Sequence, residues 1–206
     1  MRDVEGYILQ HYDQPTGGQR VQILCPDQVI TAVYYPNARL GNSLQLDLFQ
    51  HIQAQLASSS SHRVQLQQTC LATRHVVPTH RRLLYPLLAR FVVFTLADHA
   101  LATGYYKLAD TAIHLLSQSN NRLAVWTVFL GLLVQELGIW APTIIYNDDS
   151  WLFYHALQVS PLHAMDCLQA AQNWRLMQEH LLQFIAEHTG IAWPKTALDM
   201  RYLLEL

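Results

Sequence analysis

The run Pro86-Leu87-Leu88-Ala89-Arg90-Phe91-Val92-Val93-Phe94-Thr95-Leu96-Ala97-Asp98-His99-Ala100-Leu101-Ala102-Thr103, followed by Gly104 and then Tyr105 to Gln118, sets the expectation for the fold. Leu88, Phe91, Val92, Leu96 and Ala100 recur at helical spacing, and so do Leu108, Ala109, Ala112, Ile113 and Leu116 after Gly104. Pro86 suits a first helical turn, where its missing N–H is not needed. Gly104 suits a helix end, because it enters the left-handed region without a Cβ clash. Read this way, Arg81 to Gln118 is two helices folded back on each other as an antiparallel pair.

Outward from that pair, Ser119-Asn120-Asn121 is a loop and a candidate cap for an apolar helix from Arg122 to Leu137 that ends at Gly138. Leu123 to Ala141 approaches the length of a membrane span. Gln135, Glu136, Gly131, Gly138 and Pro142 fall in or beside it, which favours a buried helix of a water-exposed domain. Asn147-Asp148-Asp149-Ser150 breaks the chain and starts a helix from Trp151 to Val159. Ser160-Pro161 introduces a helical stretch from Leu162 to His188, interrupted near Gln172-Asn173 and closed by Gly190. A last short helix is expected over Pro194 to Leu206.

The N-terminal part reads differently. Arg20 to Cys25 and Val29 to Tyr35 are rich in β-branched and aromatic residues and flank Pro26-Asp27-Gln28, so they predict a β-hairpin. Gly6 to Tyr12 fits a strand or a short helix, and Pro15-Thr16-Gly17-Gly18 is turn chemistry. Leu44, Leu48, Ile52 and Leu56 share a spacing of four, which predicts a helix from Asn42 or Ser43 to Ala57. Ser58 to Ser61 is a low-complexity connection. Arg63 to Thr69 alternates like a strand, whereas Leu71 to His75 does not.

These readings predict a mainly α protein of stacked antiparallel helical hairpins, either α-solenoid-like or a compact bundle, behind a small N-terminal α/β or β-hairpin segment. The expected layout is an N-terminal mixed segment over 1–57, a linker over 58–80 and a helical domain over 81–206. Leu96-Ala97, Gly104 and Tyr106 are matched by Leu130-Gly131, Gly138 and Trp140, and a further step reaches Trp174; each step is 34 positions. With Ala109, this pattern resembles a divergent tetratricopeptide repeat over residues 90–188. The second unit has Thr143 at the small-residue position, and the third has Gln172 and Met177. Irregular apolar helical pairs of some membrane-trafficking and vesicle-tethering subunits are similar. That resemblance implies a scaffold: a non-catalytic protein–protein interaction module, serving as subunit of a multiprotein assembly.

Composition agrees with a binding role. Of 206 residues only 14% are charged and the net charge is −2, so there is no general pull toward polyanions and little charged surface to keep the chain apart from partners. Three widely spaced cysteines, Cys25, Cys70 and Cys167, make no CxxC pair and point to a reducing, cytoplasmic setting. The start, Met1-Arg2-Asp3-Val4-Glu5, is not a secretory signal.

Chemistry-bearing motifs are sparse. His163 with Cys167, beside Asp166, and His180 with Glu187 or His188 are the best metal-ligand pairs among eleven histidines. Neither has the third ligand a zinc site needs, so no metal or cofactor is expected. There is no GxSxG elbow and no phosphate loop around Gly17-Gly18, and Asp148-Asp149 reads as a helix start. No catalytic residue is assigned and the chain is read as a non-enzyme.

Arg63, Arg74, Arg81, Arg82 and Arg90, with His62, His75 and His80, form a basic segment. It is the alternative function: contact with nucleic acid or an anionic membrane. Tyr105 to Gln118 carries only Lys107 and His114, which argues against a helix-turn-helix reader of nucleic acid. The candidate interaction surface is Arg81, Arg82, Trp151 and Trp193, the two tryptophans being those that flank breaks in the helical pattern. A metal- or cofactor-binding helical enzyme is the third alternative.

Overall fold

The computed structural model describes residues 1–15, 17–36, 44–58, 64–72, 75–96, 102–139, 148–170 and 174–190. They fold into two compact units, one of residues 1–76 with 85–109 and the other of 77–84 with 110–206.

The first unit is built on five strands: β1 Arg2–Asp13, β2 Gln19–Leu24, β3 Val29–Tyr34, β4 His51–Ser58 and β5 Val64–Leu71. Each has the β-branched or alternating character that a half-buried pleated surface favours. They close into a barrel in the order β1-β2-β3-β5-β4, with β4 returning to pair with β1. All pairings are antiparallel except β3 with β5, where Val33 and Tyr34 run parallel to Gln65 and Leu66. That topology is the five-stranded Greek-key barrel of the OB type.

The pleat decides the core. Val4, Ile8, Val21, Ile23, Ile30, Ala32, Tyr34, Ile52, Ala54 and Leu66 point inward and are buried. Gly6 is required where β1 crosses β2, since a Cβ there would lie 2.5 Å from the Leu24 carbonyl oxygen and 2.7 Å from Ile23. Beyond it, a bulge at Leu9 shifts the register between Ile8 and Gln10.

β1 is buried on its outer face as well. Tyr7 and Leu9 are at most 2% exposed, and helix α1, Tyr85–Leu96, packs against the strand. Phe49 sits left-handed at φ 57°, a costly conformation for a bulky residue. Its N–H donates to the Ile8 carbonyl, and its ring fills the space between Tyr7 and Tyr85, which holds it there.

Helix α2, Ala102–Gln118, begins in the first unit and ends in the second. The second unit adds a 3-10 turn at Thr79–Leu84, then α3 Arg122–Glu136, α4 Asp148–Val159, α5 Pro161–Ala170 and α6 Trp174–Thr189. α3 is its centre, in contact with α4, α5 and α6 and buried almost all round, with Trp126, Phe129, Leu130 and Val134 inside. Asn121 caps it through Oδ1 to the Ala124 N–H at 3.0 Å, and Gly138 follows at φ 66°. Among the described residues, no helix is long and apolar enough to cross a membrane.

The expectation of a mainly α stack of helical hairpins is overturned by this mixed α/β architecture. The N-terminal hairpin is there, but as two of five strands in a closed barrel. Residues 51–58 form a strand, not the second half of a helix: Ile52, Ala54 and Leu56 alternate with Gln53 and Gln55. A spacing of four is shared by one face of a helix and one face of a strand, and it is the alternation with Gln53 and Gln55 that marks the strand here.

The tetratricopeptide-like reading, and with it the likeness to trafficking subunits, also falls. Gly104 lies inside α2 rather than at a turn, α1 finds its partner in β1, and α4 begins at Asp148, well after Trp140. The short helix expected over 194–206 and the part of the first helix expected over 97–101 lie outside the described residues.

Replacing Gly6 with Ala forces its neighbours apart against backbone. We expect a loss of about 2 kcal/mol, read as a fall in Tm of roughly 5 °C in thermal unfolding.

Candidate functional site

The outer surface of the barrel divides into two faces of different chemistry. On the β1–β4–β5 side, Asp3 pairs in register with Gln55 and Glu5 with Gln53. With Gln68 these line a shallow groove of about 440 Å³. Glu5 accepts from Gln53 Nε2 at 3.0 Å and lies 3.1 Å from His51 Nε2. Two carboxylates make this groove unfavourable for an anion.

His51 is buried. Its ring stacks on Tyr7 with centroids 4.4 Å apart, and Tyr106 Oη lies 3.3 Å from Nε2. A buried imidazole with a carboxylate and a phenol is acid–base chemistry in kind. Here the ring sits beneath Tyr7 and Tyr106 and ties β4 to β1 and to the start of α2, so its role is to hold the barrel's outer wall.

The β1–β2–β3 side is different. Tyr12 is opposite Arg20, Gln10 is opposite Gln22, and Arg20 and Gln22 are opposite Val33 and Thr31 on β3. Tyr12 is 56% exposed and Arg20 and Thr31 are exposed. Tyr12 Oη donates to Gln10 Oε1, which fixes the phenol along the strand. At the β1–β2 loop, Gly18 lets the Tyr35 ring close over the backbone, since a Cβ there would stand 2.6 Å from the ring. Asp13 accepts from Gln19 Nε2 at 3.0 Å at the same end. The face therefore offers an exposed aromatic, a guanidinium and several amide and hydroxyl groups on a rigid sheet.

The residues singled out by sequence fare unequally. Arg81 turns inward within the second unit: Nη1 donates to the Leu116 and Ser117 carbonyls at 2.8 and 3.0 Å, and Nη2 to Asn120 Oδ1. It satisfies carbonyls that the end of α2 leaves over, and its charge suits that end of the helix dipole. Arg82 is exposed, with Nε donating to the Val77 carbonyl at 2.9 Å. Arg90 lies over the Phe94 ring at 5.4 Å. Arg63 and Arg74, like Trp193, lie outside the described residues. Trp151 is 48% exposed on α4, whereas Trp126 is buried in the core of the second unit. The Tyr12 and Arg20 pair escaped sequence reading because register, not spacing along the chain, brings the two side chains together.

Among the described residues, no group of three or more His, Cys, Asp or Glu stands close enough to hold a metal ion. His163 is exposed on α5, and His188 Nδ1 lies 2.9 Å from the Phe184 carbonyl oxygen. All three cysteines are unpaired thiols. Burial first and the Asp27 carboxylate second push the Cys25 thiol up to about 11 from 9.0, against a smaller opposite pull from Arg2.

No family model matches the chain, and no curated protein matches it in sequence.

Two outcomes are expected. With a thiol reagent at neutral pH, Cys70 reacts fast, Cys167 more slowly, and Cys25 only on unfolding. Because the folded state raises the Cys25 pKa, its effect on stability is absent below about 9, and stability then falls as pH rises toward about 11. Separately, Arg81→Ala leaves carbonyls at the end of α2 without their donor and lowers stability by about 1–2 kcal/mol in denaturant unfolding.

Proposed function

We propose that the chain is a non-catalytic binding protein whose barrel takes single-stranded nucleic acid across the β1–β2–β3 face, as one subunit of a larger assembly. The strand order is the observation that carries this reading. Five-stranded barrels of this topology use the face of strands 2 and 3, with the β1–β2 and β4–β5 loops, to hold oligonucleotides or oligosaccharides. Fold alone does not make a function, so the side chains have to agree.

They do so in two ways. Tyr12 and Arg20 supply the ring and the planar cation on which unpaired bases stack, while Gln22 and Thr31 offer hydrogen bonds further along the strand pair. Asp3 and Glu5 lie on the opposite face, which leaves β1–β2–β3 as a track that a phosphate backbone meets without repulsion from that pair, with Asp13 at its end engaged by Gln19. The β4–β5 connection, residues 59–63, carries His62 and Arg63 in sequence. Duplex is a poor fit, because stacking needs bases already out of their pairs. Three unpaired thiols support a cytoplasmic setting.

Fluorescence anisotropy with labelled single-stranded oligonucleotides at low salt tests the proposal. Binding is expected to be modest in affinity, stronger for single strand than for the matching duplex. Tyr12→Ala weakens it about tenfold, in line with about 1–3 kcal/mol for each stacked base, and Tyr12→Phe largely restores it. Arg20→Ala lowers the slope of log affinity against log salt by about 0.7. Binding that ignores both substitutions, or no binding to any single strand, overturns the proposal. A neutral oligosaccharide competing at the same face redirects it to the other ligand class of this barrel.

A further inference from the structure

Gly18 is buried although it stands at the end of the β1–β2 loop, next to the exposed Gly17. The Tyr35 ring is what covers it. A Cβ on Gly18 would lie 2.6 Å from Cε1, 2.9 Å from Cδ1 and 3.1 Å from Cζ of that ring. Tyr35 itself keeps part of its surface exposed. The backbone beneath the ring is closed: the Gln14 N–H donates to the Gly18 carbonyl at 2.6 Å, and the Gly17 N–H to the Gln14 carbonyl at 3.0 Å. The ring therefore rests on a fixed support.

The pleat sets this ring on the same face as Tyr12 and Arg20. Tyr34 points into the barrel core, so its neighbour Tyr35 turns outward. Val21 and Ile23 point inward on β2, which turns Arg20 outward and places Gly18, two residues earlier, on the same side. Tyr12 is the partner of Arg20, and Gln19 is the partner of both Asp13 and Tyr34. From Tyr12 to Gly18 is thus one strand over and one outward row along, on the order of 8 Å. Arg20 adjoins both positions. An aromatic, a cation and a second aromatic stand on neighbouring rows of one sheet face. Aromatic rings beside a cation are what a single strand uses when its bases stack in succession and its phosphates need a counter-charge.

We infer that Tyr35, positioned by Gly18, is a second base-stacking platform, so that the face holds two bases at once with Arg20 on the phosphate between them. Given the nucleic-acid reading of this face, on which this assignment rests, the strand runs obliquely from β1 toward the β1–β2 loop and the end of β3. Gly18 acts through the ring alone, because its own backbone is not left-handed.

The test measures anisotropy with a labelled oligothymidylate, thermal unfolding, and photocrosslinking to an iodouracil-bearing strand. Tyr35→Leu, which still covers Gly18, is expected to weaken binding about tenfold, and Tyr35→Phe to keep it. Gly18→Ala displaces the ring without removing it and weakens binding several-fold. Crosslinks are expected at Tyr12 and Tyr35. If Tyr12→Ala weakens binding while Tyr35→Leu does not, the assignment of Tyr35 fails and the nucleic-acid reading stands. Equal loss with Tyr35→Phe assigns the effect to the hydroxyl and overturns stacking. A lowered Tm for Tyr35→Leu with no crosslink at Tyr35 makes the ring a packing group and overturns the inference too. No single-strand binding by the parent protein removes both readings.

Discussion

A strand buried on both faces is the constraint on which the first unit rests. β1 sends Val4 and Ile8 into the barrel and Tyr7 and Leu9 outward, and neither set can be left in water. The barrel answers the first demand by bringing β2 to one edge of β1 and β4 to the other, so that no edge is left open. The second demand is met by Phe49, His51, Tyr85 and Tyr106, which gather around Tyr7 as one aromatic cluster. A left-handed Phe49 is tolerated because the ring it delivers is needed there. Gly6 has no Cβ because β2 passes too close for one.

Once β1 is fixed, the two remaining outer surfaces acquire their character from register. The same pleat that buries Val4 turns Asp3 and Glu5 outward beside Gln53 and Gln55. Past the bulge at Leu9 the alternation is reset, so that Tyr12 and Gln10 turn outward beside Arg20 and Gln22. One extra residue in β1 thus helps to separate an acidic groove from a face with an aromatic and a cation. The second unit, ordered around α3, leaves Trp151, Leu152 and Val159 exposed along α4.

Much of the local structure was legible from sequence, and most of the assembly was not. Caps and breakers act locally, so the Ser119-Asn120-Asn121 loop, Gly138, Ser160-Pro161 and Gly190 marked helix ends, with Asn121 the residue that caps α3. The β2–β3 hairpin was legible from β-branched residues around Pro26-Asp27-Gln28, and the Cys25 N–H to Gln28 carbonyl bond closes it. Barrel closure depends on β4 meeting β1 and on β3 meeting β5, pairings between residues far apart in sequence that leave no periodic trace. Residues 44–57 were misread because even-numbered apolar positions serve a strand as well as a helix. The 34-residue echo arose from apolar helical segments with a glycine and an aromatic nearby, which many unrelated helical segments share, and Gly104 proves to lie inside α2. The Arg81 side chain illustrates a further limit: its sequence neighbourhood suggested a basic patch, yet Nη1 is spent on the Leu116 and Ser117 carbonyls and Nη2 on the Asn120 side chain.

The most direct measurement is the set of cross-strand backbone contacts seen by nuclear Overhauser spectroscopy on the isotope-labelled chain. The account requires contacts from Gly6 to Ile52 on one side of β1 and from Ile8 to Ile23 on the other, together with the parallel pairing of Val33 with Gln65. Helical contacts running through residues 44–57, with none between Gly6 and Ile52, would contradict it.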